Sequence, residues 1–170
     1  FFVKEPKNED EYIKPACEGT TRVLKFAEKA NIKRVVLTSS VVSMMGVIYD
    51  SNQDTGIVDS SSWTDPNSLN INTYMKSKTL AEKDAWNFIN ADENKELRMT
   101  TIHPGFVMGP LLSDDTQGAS ADFMAKMILG KFPALPDVYM HISDVRDTAK
   151  LHVQALKSDE SDGKRILTTS

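Results

Sequence analysis

Tyr74 and Lys78 stand four residues apart in "TYMKSKTLAE", a spacing that on a helix puts both side chains on one face. An ammonium held near a phenol favours the phenolate. The pair therefore predicts a tyrosine drawn down from its ordinary pKa of about 10 and able to pass a proton near neutral pH. The same spacing occurs by chance on many helices, where a half-buried tyrosine and a lysine reaching for solvent do no chemistry. Two neighbours in the sequence narrow the choice. Ser40 ends an apolar run 34 residues before Tyr74, where a hydroxyl can hold a carbonyl oxygen while the tyrosine protonates it. Pro104 and Gly105 follow a second such run and predict a tight turn at which backbone can come close to a flat ring.

Other reactive residues fit a site poorly. Cys17 is the single cysteine, which excludes an intramolecular disulfide and a multi-cysteine metal site. It lies in a helical pattern with no histidine nearby in sequence, so a nucleophilic role is not expected. No histidine and carboxylates share metal-ligand spacing, and no metal is expected. His103 precedes the Pro-Gly turn, and a strand-end histidine hydrogen-bonded to its surroundings is preferred over a proton relay.

The elements that must position these residues are legible as alternating units. Asn8 to Ala30 reads as a helix, with Tyr12, Ile13, Ala16, Thr20, Val23, Leu24 and Ala27 on one side; Pro15 marks a kink or the true first turn. "RVVLTSS" is a short β-branched run of the kind that forms a buried parallel strand. Asp50 to Asn72 is polar, with turn chemistry around "WTDPNS", and predicts a surface loop with at most one short element. A second helix spans Tyr74 to about Ile89, and "LRMTTIHPG" is the next strand. A third helix runs around Ala119 to Leu129, Asp144 caps a fourth that reaches about Leu156, and "RILTTS" closes as a strand. This alternation predicts an α/β doubly wound parallel sheet, in which ligands bind at the carboxyl ends of the strands. "TSS", Tyr74 and "HPG" all fall at that edge.

Composition limits the alternatives. The chain has 170 residues, 40% hydrophobic and 26% charged, enough for one domain with a core. The net charge of -4 and the absence of a dense Lys/Arg cluster argue against nucleic acid as a partner. No apolar run is long enough to span a bilayer, so no membrane association is expected, and a cytoplasmic location is.

"RVVLTSSV", "YMKSKTLAE", "TTIHPGFVMGP" and "HISDVRDTAKLHVQAL", in that order, resemble the extended short-chain dehydrogenase/reductase family within the NAD-dependent epimerase/dehydratase superfamily. The resemblance is strongest to the dihydroflavonol reductase and cinnamoyl-CoA reductase-like branch and covers nearly all 170 residues. It implies a Rossmann-like sheet in three αβα layers, with Ser40, Tyr74 and Lys78 as the catalytic set. Ser40 is taken over Ser39 because the family's serine is the last of the hydroxyl run. The implied reaction is hydride transfer from NAD(P)H to an aldehyde or ketone. Tyr74 would donate the proton, Ser40 would orient the oxygen, and Lys78 would tune Tyr74 and bond the nicotinamide ribose. Thr38 and Ser39 would approach the cofactor through backbone, Tyr74 would contact it together with Lys78, and His103, Pro104, Gly105, Phe106 and Val107 would line the nicotinamide. NADP(H) is favoured over NAD(H). Met44, Met45, Phe106 and the stretch from Pro110 to Met124 would shape a pocket for a hydrophobic carbonyl compound. His141 and Asp144 match a segment whose role is structural, and a homodimer is compatible with the branch.

The sequence also departs from the family. No glycine-rich pyrophosphate turn stands anywhere in it, and Phe1 stands where a start residue would. The chain is expected to be the second half of a longer domain, residues 1–170 forming a partial NAD(P)-binding unit whose C-terminal part contributes to the substrate region. "RVVLTSS", central in the family, would then show an open edge. "PACEGTT" lacks the asparagine that aids a proton relay in many members. Two other readings stay open: a nucleotide-sugar epimerase or dehydratase on the same fold, and a non-catalytic Rossmann-like module.

Overall fold

The computed structural model describes residues 6–46, 57–92, 96–112, 118–132 and 140–169. Helix α1 spans Asp10–Lys29 and begins with Asp10 and Glu11, whose charges suit the positive end of the helix dipole, while Lys29 suits the negative end. Asn8 Oδ1 accepts from the Asp10 N–H at 3.0 Å, so the polar start read from Asn8 is the turn that launches the helix. Pro15 lies inside α1 rather than at its first turn, because the acidic start sets the helix five residues earlier. Strand β1 is Arg34–Thr38, helix α2 Thr73–Asn90 and strand β2 Arg98–Pro104. Asn72 caps α2 by accepting from the Met75 N–H at 2.9 Å. Helix α3 spans Ala119–Ile128 and helix α4 Val145–Lys157, the latter capped by Asp144 through the Arg146 N–H at 2.8 Å. Two strands of three residues each, β3 (Phe106–Met108) and β4 (Ile142–Asp144), were not expected from the sequence, and β5 is Arg165–Thr168.

All pairing is parallel. One sheet has the order β1-β2-β5 with Leu37 opposite Thr101 and His103 opposite Leu167; the second pairs β3 with β4. The layers follow from the two-residue period of the strands. On β1 and β2 the odd residues Val35, Leu37 and Met99 pack with Leu24 of α1 and Ala85 of α2, the centre of the core. Their alternates face the other way. Arg34 reaches Asp162 at 2.7 and 2.9 Å and the Leu156 carbonyl at 3.1 Å, and Thr100 Oγ1 donates to the Ser161 carbonyl at 2.7 Å. Helices α1 and α2 therefore cover one face and α4 with the turn after it the other, the expected three layers.

Three readings are corrected by packing. Val23 was placed on the inward side of α1 but is 63% exposed, and Phe26 beside it is 64% exposed; beyond β1 no strand lies among the described residues. The loop before α2 is not wholly a surface feature. Thr64 is fully buried, its hydroxyl donating to the Val42 carbonyl at 2.7 Å and accepting the Gly46 N–H at 2.8 Å. Met44, expected at the pocket, is fully buried in the core. Residues 50–56 of that loop lie outside the described residues.

Candidate active site

Ser40 follows the carboxyl end of β1 in extended backbone (φ -161°, ψ 151°) and opens the 3-10 turn Val41–Ser43, its Oγ accepting the Val42 N–H at 3.4 Å. Tyr74 lies in the first turn of α2, with the Ser40 side chain near enough to its phenol to draw the phenol pKa down. Lys78 follows one turn later, half-buried, with no hydrogen-bond or ion-pair partner among the described residues. The structure thus brings the Ser40 hydroxyl toward the Tyr74 phenol and sets on the same helix an ammonium unpaired among the described residues.

The electrostatics differ from the simple pair expected from the spacing. Burial pushes the Tyr74 phenol above its ordinary pKa, and the Ser40 side chain pulls the other way. Burial pulls Lys78 down, opposed by the Glu82 carboxylate. In the protein by itself Tyr74 is therefore raised, not lowered: loss of water around the phenol outweighs the pull of Ser40, and the charge that acts on Lys78 is that of Glu82.

Glu82 was not singled out from the sequence, yet it is the most heavily bonded side chain near the site. Only 1% of it is exposed. Oε2 accepts from Ser39 Oγ and Ser43 Oγ, both at 2.6 Å. Oε1 accepts from Arg165 Nε at 2.7 Å, with Trp86 Nε1 and Thr101 Oγ1 further off at 3.3 Å, and His103 Nε2 bridges both oxygens at 2.8 and 2.9 Å. Burial disfavours the Glu82 charge, but the bonds from His103, Arg165 and Ser39 outweigh it and hold the carboxyl far below the usual carboxylate range. Arg165 is held in turn by the Ser60 and Ser62 carbonyls at 3.1 and 2.6 Å and stacks on Trp63 at 3.6 Å.

The remaining expected residues divide between face and core. His103 is fully buried with Nε2 on Glu82, so its ring serves the core, as the preferred reading held, and only its backbone is left to face a ligand. The Ser39 side chain is likewise spent on Glu82, and its N–H donates to the Ile102 carbonyl at 2.8 Å. Thr38 turns to the α4 face, its Oγ1 2.7 Å from His152 Nε2. Pro104 ends β2, and Gly105 permits a close approach of backbone. A Cβ on Gly105 would meet the His141 carbonyl oxygen at 2.1 Å, and Phe106 N–H donates to that oxygen at 2.6 Å. The Phe106 ring packs edge-on against Phe123, centroids 5.2 Å apart, while Val107 lines a cleft of about 750 Å³. Met108, Pro110, Leu111, Met124 and Ile128 give that cleft an apolar wall; none of Ser40, Tyr74 and Lys78 lines it. Residues 113–117 lie outside the described residues.

Parallel strands between helix layers define a Rossmann-like α/β domain, with Ser40 past the carboxyl end of β1 and Tyr74 and Lys78 on α2. The chain belongs to the NAD dependent epimerase/dehydratase family, which it matches over residues 4–167. It is 31% identical over 176 residues to cinnamoyl-CoA reductase 1 of Petunia hybrida, covering 100% of this chain and 50% of that protein. To the NADPH-dependent methylglyoxal reductase GRE2 of Saccharomyces cerevisiae it is 27% identical over 177 residues, covering 95% of this chain and 51% of that protein. The solved structure of yeast methylglyoxal/isovaleraldehyde reductase Gre2 complexed with NADPH shares the fold, with a TM-score of 0.83 at 24% identity over 99% of this chain and 54% of that one. The chain spans about half the length of the curated relatives it matches. No helix among the described residues is long and apolar enough to cross a membrane.

Proposed function

We propose that this chain carries the proton-donating half of a reductase that reduces an aldehyde or ketone with NADPH. The observation that carries the reading is the placement of Ser40 past the end of β1 beside the Tyr74 phenol, with Lys78, unpaired among the described residues, one turn along α2. The fit to a nicotinamide cofactor rests on Lys78. A half-buried ammonium with three donors and no acceptor in the described protein suits the vicinal hydroxyls of a ribose. The fit extends to that end of the cofactor alone, since no glycine-rich turn for a pyrophosphate stands in the 170 residues. Bound there, the cofactor supplies the hydride. Ser40 donates a hydrogen bond to the carbonyl oxygen and orients it. Tyr74 gives that oxygen its proton, and the raised phenol pKa keeps the proton on Tyr74 until it is needed. Lys78, cationic, offsets the negative charge left on the phenolate. The apolar cleft behind Val107 supports a substrate with a hydrophobic body.

The reductase reading is favoured over an epimerase or dehydratase by the two relatives above, both named as reductases, and NADPH by the name of one of them. The test is NADPH oxidation by the whole protein with a panel of aldehydes and ketones, repeated with NADH. Turnover with NADPH that Tyr74→Phe abolishes is expected; no turnover with any carbonyl compound, or undiminished turnover in Tyr74→Phe, overturns the reading.

A further inference from the structure

Ser40 lies in a turn whose two flanking hydroxyls are both tied to one carboxylate. Ser39 and Ser43 each place Oγ 2.6 Å from Glu82 Oε2, one on either side of Ser40, and the two hydroxyls lie 3.4 Å from each other. Glu82 belongs to α2, the helix that carries Tyr74 and Lys78, two turns beyond Tyr74. The turn has other anchors: within it Ser43 Oγ lies 2.9 Å from the Ser40 carbonyl oxygen, and the rest come from elsewhere. Ser39 N–H is held by the Ile102 carbonyl of β2 at 2.8 Å, and the Ser43 carbonyl accepts the Thr64 N–H at 2.8 Å. Those bonds fix the turn to the sheet and to the loop before α2. The Glu82 bonds fix it to the helix that presents the phenol.

We propose that Glu82 is a positioning residue that clamps the Ser39–Ser43 turn onto α2 and so sets the separation between Ser40 and Tyr74. This rests on the roles given above to Ser40 and Tyr74. The bonding of its two oxygens supports the assignment. Arg165 holds Oε1 from β5 and His103 bridges Oε1 and Oε2 from β2, locking the carboxylate in place, while both serines bond Oε2. A carboxylate whose own position is fixed by two strands transmits that position to the turn through short charge-assisted bonds. A displacement of the order of an ångström between a proton donor and the group that orients its acceptor is enough to slow a reaction markedly.

The clamp is tested without disturbing the ion cluster by Ser39→Ala/Ser43→Ala in the whole protein. The double variant is expected to lower kcat about tenfold with KM for NADPH unchanged, and to have no further effect in a Ser40→Ala background, because the clamp acts through Ser40. An unchanged kcat, or the same tenfold loss again in the Ser40→Ala background, overturns the proposal; the latter is what general loosening of the core would give. Should the double variant not fold, Ser39→Ala alone carries the same cycle. Crystal structures of the native protein and the variant read the clamp without reference to activity: the separation between Ser40 Oγ and the Tyr74 phenol oxygen is expected to change by about an ångström, and an unchanged separation overturns the proposal. If the unaltered protein turns over no carbonyl compound, the functional reading fails while the crystal structures still decide the clamp.

Discussion

Replacing Glu82 by glutamine removes one charge from the centre of the fold while keeping the shape of the side chain. In the native protein the carboxylate faces Arg165, whose side chain is 8% exposed, and His103, which is fully buried. The amide leaves the guanidinium with the Ser60 and Ser62 carbonyls and the Trp63 face, none of which carries a formal charge. One oxygen also becomes an NH2 group that cannot accept, so at least one of Ser39, Ser43, His103 and Arg165 loses its acceptor. Removing one partner of a buried pair costs about 3–5 kcal/mol. For a chain of this size that corresponds to a fall in Tm of roughly 6–20 °C. The pH dependence has a definite sign. Glu82 titrates in the folded protein far below its ordinary 4.5, so its stabilisation is full above that value and is lost as pH falls below it. The gap between native protein and Glu82→Gln should be widest at neutral pH and should narrow steadily in acid. Urea denaturation at pH 7 and in steps below pH 4.5 measures this. A loss under about 1 kcal/mol at pH 7, or a gap that widens in acid, would refute the reasoning.

Burial and the neighbouring Asp84 push the Cys17 thiol up to about 12, so it should label with a thiol reagent far more slowly at pH 8 than a free thiol; stoichiometric labelling within minutes would contradict this. Gly105→Ala drives a Cβ to 2.1 Å from the His141 carbonyl oxygen and should cost about 3 kcal/mol in chemical denaturation, with a neutral result refuting the close approach. Asn72→Ala removes the cap at the helix end that presents Tyr74 and should cost about 1 kcal/mol, read the same way.

Much of the scaffold was legible because it is periodic. The apolar spacing of α2 and the β-branched run of β1 announce themselves, and Asp144 sits where a cap belongs. The pair β3 and β4 was not legible, since three residues carry no measurable period and their pairing joins positions far apart in the chain. Ser40 and Tyr74 could be put together because family order and sheet topology both send them to one edge. Glu82 could not be picked out: in the sequence it is a glutamate on a helix, the residue most often left in water. Its burial is decided by the alternation of β2 and β5, which turns Thr101, His103 and Arg165 toward α2. The direction of the Tyr74 shift was missed for a related reason. Spacing reports the neighbouring charge, while the water lost around the phenol is a property of the packed structure.

The central claim is that Tyr74 gives up a proton to a carbonyl oxygen while Lys78 and the rest of the site hold the cofactor. Its most direct test is Tyr74→Phe in the whole protein, with kcat for an aldehyde and the Kd for NADPH measured on the same preparation. The account predicts a kcat reduced by about 100-fold or more with the Kd nearly unchanged, since the phenol acts on the proton and not on cofactor affinity. An undiminished kcat would contradict it.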